Sequence, residues 1–438
     1  MSNYSLPLPR VGILGAGFVG ITLAAHLCGV QKSKVVLMEN NPQKLNAIRN
    51  GEYGVWEPEL DQILDSAFGN GTCGATSSFG KEVLDVLFIT VGTPLPAGSR
   101  QVGHPELLQT VVENSSALVA GGIIFLRSTV SIGTTETIKQ MLDEIGRDDI
   151  SVCFAPERTA EGVALKELRE LPQILGAAEG SNLNEAAKFL KEQGFRIFET
   201  ENSKEAEFIK LACNSWRDLT FAFANELALI GHSENISSRN VINLANKDYS
   251  RSKIPMPGPS GGPCLTKDGI ILTSSYKELV NPNSVIATGR LINESINLVI
   301  LEKIKSELMK RLSPNIVIAG IAFKGSPRTN DIRDGLGKFL LESLIRFDPN
   351  LKISAWDPYI DTELLIEDKQ VMNGLFDGES TDILVIANNA DYFQSKEFIK
   401  ECRNLPKESI IIDCWQVIGE EFSTKAHQIT FGSSRWNG

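Results

Sequence analysis

A cysteine follows paired glycines in the run Gly261-Gly262-Pro263-Cys264-Leu265-Thr266-Lys267-Asp268. Glycines lack a Cβ and let the backbone approach a ligand closely, so the cysteine can present its sulfur there. If a helix begins near Pro263, Asp268 lies one turn from Cys264 and brings a carboxylate beside the thiol. The alternative is a structural cysteine, because cysteine also serves as a small buried hydrophobic residue.

A second group of polar residues lies in a segment with a helical pattern. Lys210 and Asn214 are four residues apart and so share one helix face, and Arg217 extends this stripe by a turn. An amide beside an ammonium group suits the binding of a developing oxyanion. The alternative is a solvated lysine and an asparagine at a neutral helix position.

A glycine-rich loop near the N-terminus predicts a dinucleotide site. The sequence Gly15-Ala16-Gly17-Phe18-Val19-Gly20 follows an apolar strand and opens a helix, whose N-terminal N–H groups attract a pyrophosphate. Glu39 ends the next strand, where a carboxylate accepts both ribose hydroxyls of NAD and repels a 2′-phosphate. NAD is therefore favoured over NADP, and Lys44 lies either beside the adenosine phosphates or in solvent.

Together, a thiol and an NAD loop indicate oxidation of an aldehyde. A thiolate adds to an aldehyde to give a thiohemiacetal, loss of hydride to NAD gives a thioester, and water hydrolyses the thioester.

The composition is that of a globular protein with more than one domain. The chain has 438 residues, 42% of them hydrophobic, and a net charge of −11, which argues against a nucleic-acid surface. Seven cysteines without metal-like spacing and only four histidines argue against a metal site. The N-terminus is too polar for a signal peptide and the apolar runs are too short for a membrane helix, so we expect a cytoplasmic protein with reduced thiols.

Two regions alternate β-branched runs with helical patterns, as α/β proteins do. Strands are predicted at residues 11–14, 35–38, 86–90, 123–129, 151–155 and 173–177, and later within 315–324, 351–358, 381–388 and 409–415. Between these regions a long helix from Glu205 and a helical run over 287–312 are predicted, separated by a Pro/Gly-rich loop.

The predicted fold is α/β, with two Rossmann-like doubly wound domains joined by a long central helix and a helical connector. Residues 1–204 are predicted to bind NAD, 205–312 to form the central helical domain, and 313–438 to form the second α/β domain.

In its motifs the chain resembles the UDP-glucose/GDP-mannose dehydrogenase family, NAD-dependent enzymes that oxidise the C6 alcohol of a nucleotide sugar to a carboxylate in two hydride transfers. The resemblance covers nearly the whole length, in order: VGILGAGFVG, VGTP (91–94), STVSIGTT (128–135), APER with Glu161-Gly162, KLACN with Phe223, Asn225 and Glu226, GGPCLTKD, and IAGIAFKGSPRTNDIRDG (318–335).

The resemblance implies roles for individual residues. Cys264 resembles the nucleophile, Lys210 and Asn214 the pair that holds the substrate oxygen and the oxyanion, and Asp268 the carboxylate that activates water. Thr129 and Glu157 resemble water-ordering and proton-handling positions. The positions implied to contact NAD are Gly15, Gly17, Phe18, Val19, Gly20, Glu39, Lys44, Thr93, Thr129, Glu161 and Arg333.

The resemblance also implies a substrate site, with 205–312 as the catalytic and dimerisation domain and 313–438 as the domain that binds the nucleotide sugar. Lys324, Phe323 and the loop from Arg251 to Gly261 match positions around UDP, and Arg251 implies a dimer because the family supplies that arginine from a neighbouring subunit. APER and NSWRD resemble the branch acting on UDP-N-acetylmannosamine or UDP-N-acetylglucosamine, in which Arg158 and Arg217 would contact the 2-acetamido group. Such uronic acids usually enter envelope polysaccharides of bacteria or archaea.

Alternatives remain. UDP-glucose is the second substrate candidate, and GDP-mannose the third. A two-electron β-hydroxyacid dehydrogenase shares the cofactor domain and a Lys/Asn helix but leaves the C-terminal α/β domain unexplained. A non-catalytic NAD or nucleotide-sugar scaffold has no use for Cys, Lys, Asn and Asp together.

Overall fold

The computed structural model describes residues 8–80, 82–95, 103–275, 284–360, 364–372, 378, 380–419 and 426–437. The first seven residues lie outside the described residues. The prediction that the chain has no signal peptide rests in part on these seven. The chain divides into two units. Unit 1 runs to Cys213 and also includes Ser274 and Ser275, while unit 2 comprises Asn214–Thr273 and the described residues from Ser284 onward. The predicted division into three domains stays a prediction.

In the described part of unit 1, eight strands form one sheet in the order β3-β2-β1-β4-β5-β6-β7-β8. The strands are β1 Arg10–Leu14, β2 Lys34–Met38, β3 Cys73–Thr76, β4 Leu84–Ile89, β5 Leu118–Leu126, β6 Ser151–Phe154, β7 Gln173–Ala177 and β8 Ile197–Glu199. The helices are α1 Phe18–Val30, α2 Pro42–Arg49, α3 Leu60–Gly69, α4 Pro105–Asn114, α5 Thr134–Glu144, α6 Ala164–Glu170 and α7 Leu183–Glu192, followed by the start of α8 Ser203–Glu234.

The sheet of unit 1 is parallel except at one pairing. β7 pairs with β6 antiparallel, through Cys153 opposite Ala177, and β8 then pairs parallel to β7. The sequence predicted the strand at 173–177 correctly but placed it in a parallel sheet, because an apolar run does not encode strand direction.

Both faces of this sheet are covered. On β4, Val86 and Phe88 pack in one core cluster while Leu87 and Ile89 pack in another, as the two-residue period of a strand requires. A strand buried on both faces reads as a continuous apolar run, which is why β4 was recognisable from the sequence.

In the described part of unit 2, a second sheet has the order β11-β12-β10-β9-β13-β14-β15, with only β11–β12 antiparallel. The strands are β9 Asn315–Ala319, β10 Lys352–Trp356, β11 Leu365–Ile366, β12 Lys369–Met372, β13 Ile383–Ile386, β14 Ile410–Asp413 and β15 His427–Thr430. The helices after α8 are α9 Ser238–Asn246, α10 Asp268–Thr273, α11 Val285–Leu308, α12 Leu336–Phe347 and α13 Lys396–Asn404. The predicted fold class is confirmed: two doubly wound sheets and a long helix, α8, whose 32 residues match the predicted helix from Glu205.

Among the described residues, no helix combines the length and apolar character that crossing a membrane requires. The cytoplasmic location stays a prediction.

Candidate active site

The glycine-rich loop lies at the carboxyl end of β1, where the sheet order of unit 1 reverses between β1 and β4. Ligands of open α/β sheets bind at such a reversal. Gly15 has φ +101° and donates its N–H to Met38 O at 3.0 Å, so it makes the tight turn. A Cβ on Gly20 would lie 1.9 Å from Gly15 O, so only glycine allows α1 to pack against the loop.

The start of α1 fits a pyrophosphate. Gly17 is the N-cap residue, no side chain bonds to that cap in the described structure, and the first turn carries no acidic residue. A Cβ on Gly17 would meet nothing within 4 Å, so open space adjoins the backbone there. Phe18 and Val19 open the helix, and their amides belong to the N-terminal turn that attracts anions.

Glu39 follows β2 directly and is held at the position expected for a ribose-binding acid. Its Oε1 accepts from Asn41 N at 3.0 Å, and its Oε2 lies 3.2 Å from Lys44 Nζ. Lys44 therefore pairs with the carboxylate of Glu39. The sequence had left open whether Lys44 lies beside the adenosine phosphates or in solvent.

Thr93 and Thr129 meet in the loops after β4 and β5. Thr93 Oγ1 donates to Thr129 O at 2.7 Å, and the Thr93 side chain is buried while Thr129 is half-buried. Glu161 lies beside a turn at Gly162, whose φ is +89°. The buried Glu57 carboxylate accepts the N–H groups of Gly162 and Ala164 and so fixes this turn.

Glu157 lies in a buried ion pair after β6. Its Oε2 is 2.6 Å from Arg127 Nη2, while Oε1 accepts the N–H groups of Arg158 at 2.7 Å and Thr159 at 2.8 Å. Burial acts to raise the pKa of Glu157, but the Arg127 guanidinium and the hydrogen bonds to the carboxylate together hold that pKa below its usual range. The carboxylate is thus kept ionised and its orientation fixed.

The main chain of Glu157 in turn binds Lys210. Lys210 Nζ donates to Glu157 O at 2.6 Å, and only 7% of Lys210 is exposed. A solvated lysine is therefore excluded, and a buried ammonium group held by a carbonyl has a defined position.

In unit 2 the structure brings Asn214, Asp268 and Cys264 together. Asn214 Nδ2 donates to Asp268 Oδ2 at 2.6 Å, and Lys267 Nζ donates to Asp268 Oδ1 at 3.0 Å. Asp268 N donates to Cys264 O at 3.0 Å, so the two residues are one turn apart, as expected. The helix, however, begins at Asp268 and not near Pro263, since the residues before it form turns. Cys264 is exposed, and Asp268 is fully buried.

The predicted substrate residues lie in several places. Arg158 in unit 1 is half-buried and donates to Pro172 O at 3.3 Å, while Arg217 in unit 2 is exposed. Also in unit 2, Arg251 lies over the Tyr249 ring at 5.5 Å and Lys324 over Phe323 at 5.6 Å.

Gly261 and Arg333 are placed by the segment around Asp334. A Cβ on Gly261 would lie 2.1 Å from Asp334 O. The Arg333 guanidinium pairs with Asp331 at 2.5 Å and is largely exposed. Its contact with the cofactor, like the other residue roles, stays a prediction.

Sequence reasoning missed Arg127 and Glu57. Arg127 stands inside the predicted strand 123–129, and a charge at the end of an apolar strand is a signal for a buried partner. Glu57 offers no comparable signal, because its partners are backbone amides more than a hundred positions away.

Two family models match the chain. Residues 9–193 match the NAD binding domain, and residues 204–295 the central domain, of the UDP-glucose/GDP-mannose dehydrogenase family.

Individual proteins match over nearly the full length. A UDP-N-acetyl-D-mannosamine dehydrogenase of Pyrococcus horikoshii is 30% identical over 424 residues, which is 94% of this chain and 96% of the relative. The solved structure of a UDP-D-ManNAc dehydrogenase from Pyrococcus horikoshii has a TM-score of 0.81 at 28% identity and covers 97% of this chain and 100% of its own. A UDP-glucose dehydrogenase from Pyrobaculum islandicum has a TM-score of 0.80 at 21% identity, with 98% of this chain and 99% of its own covered, a likeness of fold.

Proposed function

The chain belongs to the UDP-glucose/GDP-mannose dehydrogenase family and is an NAD-dependent nucleotide-sugar dehydrogenase, and from this premise we propose that it oxidises the C6 alcohol of a UDP-N-acetylhexosamine to the carboxylate. UDP-N-acetyl-D-mannosamine is the first choice of substrate, because a relative that matches at 30% identity carries that name. The fold alone does not distinguish the sugars, since a UDP-glucose dehydrogenase has nearly the same TM-score.

One observation carries the proposal: Asn214, Asp268 and Cys264 form a connected group in unit 2, with the thiol exposed and the carboxylate buried. An exposed cysteine suits nucleophilic catalysis when it lies one turn from a buried carboxylate that accepts two hydrogen bonds. An NAD-binding scaffold or a two-electron dehydrogenase has no use for this group.

The balanced reaction has two halves. NAD, when bound, supplies the hydride acceptor, and the alcohol, two NAD⁺ and one water become the carboxylate, two NADH and three protons. Cys264 Sγ adds to the C6 aldehyde formed in the first half to give a thiohemiacetal, and loss of hydride leaves a thioester. Water then adds to the thioester carbonyl, the C–S bond breaks and the thiol is regenerated.

Lys210 and Asn214 stabilise the oxyanions in this scheme. The Lys210 ammonium supplies a fixed positive charge, and Asn214 Nδ2 has a second N–H besides the one that it donates to Asp268. Asp268 orients the attacking water and accepts its proton.

Glu157 also has a positioning role in this scheme, beside the water-ordering or proton-handling role that the resemblance implies. Both of its carboxylate oxygens are bonded, and its carbonyl holds Lys210. Thr129, whose carbonyl accepts from Thr93, orders water or cofactor in the same unit.

The test is NADH formation, followed by absorbance, with purified protein, NAD and each of UDP-N-acetylmannosamine, UDP-N-acetylglucosamine, UDP-glucose and GDP-mannose. We expect two NADH per molecule of acetamido sugar. Cys264→Ser should give at most one, whereas Cys213→Ser, which removes the other exposed thiol, should still give two. Two NADH from Cys264→Ser would refute the thioester, and no turnover with any of the four sugars would refute the proposed function.

The choice of sugar has its own test at Arg158 and Arg217. Arg217→Ala should raise KM for UDP-N-acetylmannosamine about tenfold or more, as expected for the loss of a charged hydrogen bond of about 1.5 kcal/mol, and change KM for UDP-glucose little. A wild-type protein that prefers UDP-glucose would discard this assignment of the two arginines and keep the mechanism.

We further propose that the protein forms a homodimer, alone or as a pair of dimers. Trp216, Phe223 and Ile230 recur every seventh residue on α8 and are 68%, 51% and 55% exposed. Such a stripe lies on one helix face and suits packing against its own copy around a two-fold axis. Light scattering should give at least twice the chain mass, and Trp216→Glu should lower it; a monomeric wild type would refute the dimer.

A further inference from the structure

The loop that leads to Cys264 is bonded through its main chain to buried side chains of unit 2. Asn225 holds Gly258 from both directions, since its Nδ2 donates to Gly258 O at 3.1 Å and its Oδ1 accepts Gly258 N at 2.9 Å. Arg290 Nη2 donates to Ser260 O at 3.1 Å, and Arg239 Nη2 to Pro257 O at 3.0 Å. The carbonyl groups of Pro257, Gly258 and Ser260 are therefore bound on the approach to the nucleophile.

A second layer of bonds holds these side chains. The other N–H of Asn225 Nδ2 is donated to Asn293 Oδ1 at 2.8 Å, so both donors and the acceptor of this amide are used. Asn293 Nδ2 donates to Asp218 Oδ1 at 2.8 Å and to Asp218 O at 2.9 Å. Arg290 Nη1 lies 2.8 Å from the same Oδ1. We call these four residues, Asp218, Asn225, Arg290 and Asn293, the loop clamp.

The loop clamp is almost wholly shielded from water. Asn225 and Asn293 are 0% exposed, Asp218 4% and Arg290 6%. Burying four polar side chains is unfavourable unless they bond to one another with good geometry, and a satisfied network then fixes a single arrangement. A loop that needed only to connect two elements would not require it.

The opposite side of the loop fits closely against other groups. A Cβ on Gly258 would lie 2.8 Å from the Trp415 ring, and one on Gly262 would lie 2.6 Å from the Phe323 ring. Gly262 also has φ +88° and donates its N–H to Asp334 O at 3.3 Å. The loop therefore lies between the clamp and these rings, with little room to shift.

We propose that the loop clamp is a positioning device for the nucleophile: it fixes the main chain from Gly258 to Ser260 and thereby the place of Cys264 in the reaction. This inference rests on the proposed function of Cys264. Its physical basis is that a displacement of about 1 Å in a reacting group can cost about a hundredfold in rate. The clamp residues act through the loop and are not catalytic residues themselves.

The test compares Asn225→Ala with Ile300→Val in the NAD-free protein and in turnover. Ile300 is fully buried on α11, so this control reports a packing loss away from the loop. The first readout is hydrogen–deuterium exchange of peptides covering residues 256–265. The second is the rate of alkylation of Cys264 by iodoacetamide, measured in a Cys213→Ser background. The third is kcat, with KM for NAD and for the nucleotide sugar.

We expect Asn225→Ala to speed exchange in that peptide about tenfold or more, to change the alkylation rate and to lower kcat at least tenfold, leaving KM for NAD within about twofold. Ile300→Val should do none of these. Wild-type exchange, alkylation and kcat in Asn225→Ala would overturn the inference, as would a loss of kcat that Ile300→Val reproduces.

Asn293→Ala guards against an Asn225→Ala variant that does not fold. It keeps both bonds of Asn225 to Gly258 and removes the acceptor that Asn293 Oδ1 offers to Asn225, so intermediate values of all three readouts are expected. Wild-type values would overturn the inference. If the wild-type protein oxidises no nucleotide sugar, the proposed function fails, yet exchange and alkylation still decide whether the clamp controls the loop and the thiol.

Discussion

Replacing Arg127 by Met tests the buried ion pair on which the position of Lys210 depends. The change removes the guanidinium from Glu157, and both residues are nearly inaccessible, with 1% and 7% exposed. We expect the free energy of unfolding at neutral pH to fall by about 3–5 kcal/mol, because an unpaired buried carboxylate remains. Coulomb's law gives a similar figure, about 4 kcal/mol for charges about 4 Å apart at an effective dielectric constant of about 20.

The loss should depend on pH in a defined direction. In the wild type the folded pKa of Glu157 lies below its ordinary value of 4.5, so the pair stabilises the fold above that pH, and the stabilisation disappears as pH falls through the folded pKa. Without Arg127, burial dominates and raises the pKa of Glu157. The free energy of unfolding of the variant therefore falls as the pH rises from about 4.5 through that raised pKa. The difference in stability between the two proteins should therefore be largest at neutral pH and shrink as the pH falls from the raised pKa of the variant, above 4.5, through the lowered pKa of the wild type, below 4.5.

The assay is urea unfolding of wild type, Arg127→Met, Glu157→Gln and the double variant at neutral and acidic pH. The double variant should be less destabilised than the sum of the single variants, with a coupling of at least about 1.5 kcal/mol at neutral pH. Arg127→Met should also lower kcat, since Glu157 O holds Lys210. A coupling below about 0.5 kcal/mol, within the additivity of independent sites, or a stability difference that is the same at both pH values would refute the reasoning.

Three further predictions concern unit 1. Gly20→Ala should lower thermal stability and raise KM for NAD several-fold, because its Cβ would lie 1.9 Å from Gly15 O; a dye-monitored melt and NAD titration that match the wild type would contradict this. Glu39→Ala should weaken NAD binding about tenfold and NADP binding far less, since the repulsion of a 2′-phosphate is lost; equal losses in calorimetric titrations would count against the ribose assignment. Burial raises the pKa of Glu207 despite its hydrogen bonds to the amides of Gly133 and Thr135. The stability of the wild type relative to Glu207→Gln should therefore decline as the pH rises above about 4.5 through the raised pKa. A stability difference between the two proteins that does not depend on pH would disprove this prediction.

The parts of the fold that were predictable are those whose signal is local. β4, β9, β13 and β14 are apolar runs because both faces of their sheets are covered. β3, with the sequence CGAT, has no such run and was missed, since it pairs at the edge of the sheet. The antiparallel direction of β7 was equally hidden, because direction is fixed by the pairing partner.

For the site, residue types and spacing predicted the glycine-rich loop and placed Asp268 one turn from Cys264, and the family resemblance implied that Asn214 joins them. They did not predict what holds these groups. The bonds from Arg127 to Glu157 and from Asn225 to Gly258 join residues about thirty positions apart, with no periodic pattern linking them. Such tertiary contacts decide whether a polar side chain is buried or solvated, as the buried Lys210 illustrates.

The three glycines of the loop before Cys264 also limit which codon changes the gene can tolerate. At Gly258, Gly261 and Gly262 an added Cβ would lie 2.8 Å, 2.1 Å and 2.6 Å from a ring, a carbonyl oxygen and another ring. Every missense change in a glycine codon adds a Cβ, so no nucleotide substitution that alters the residue escapes the collision. In a randomly mutagenised gene, clones that retain activity should therefore carry only synonymous changes at these three codons, whereas the codons for the exposed Leu244 and Leu298 should vary in their encoded residue.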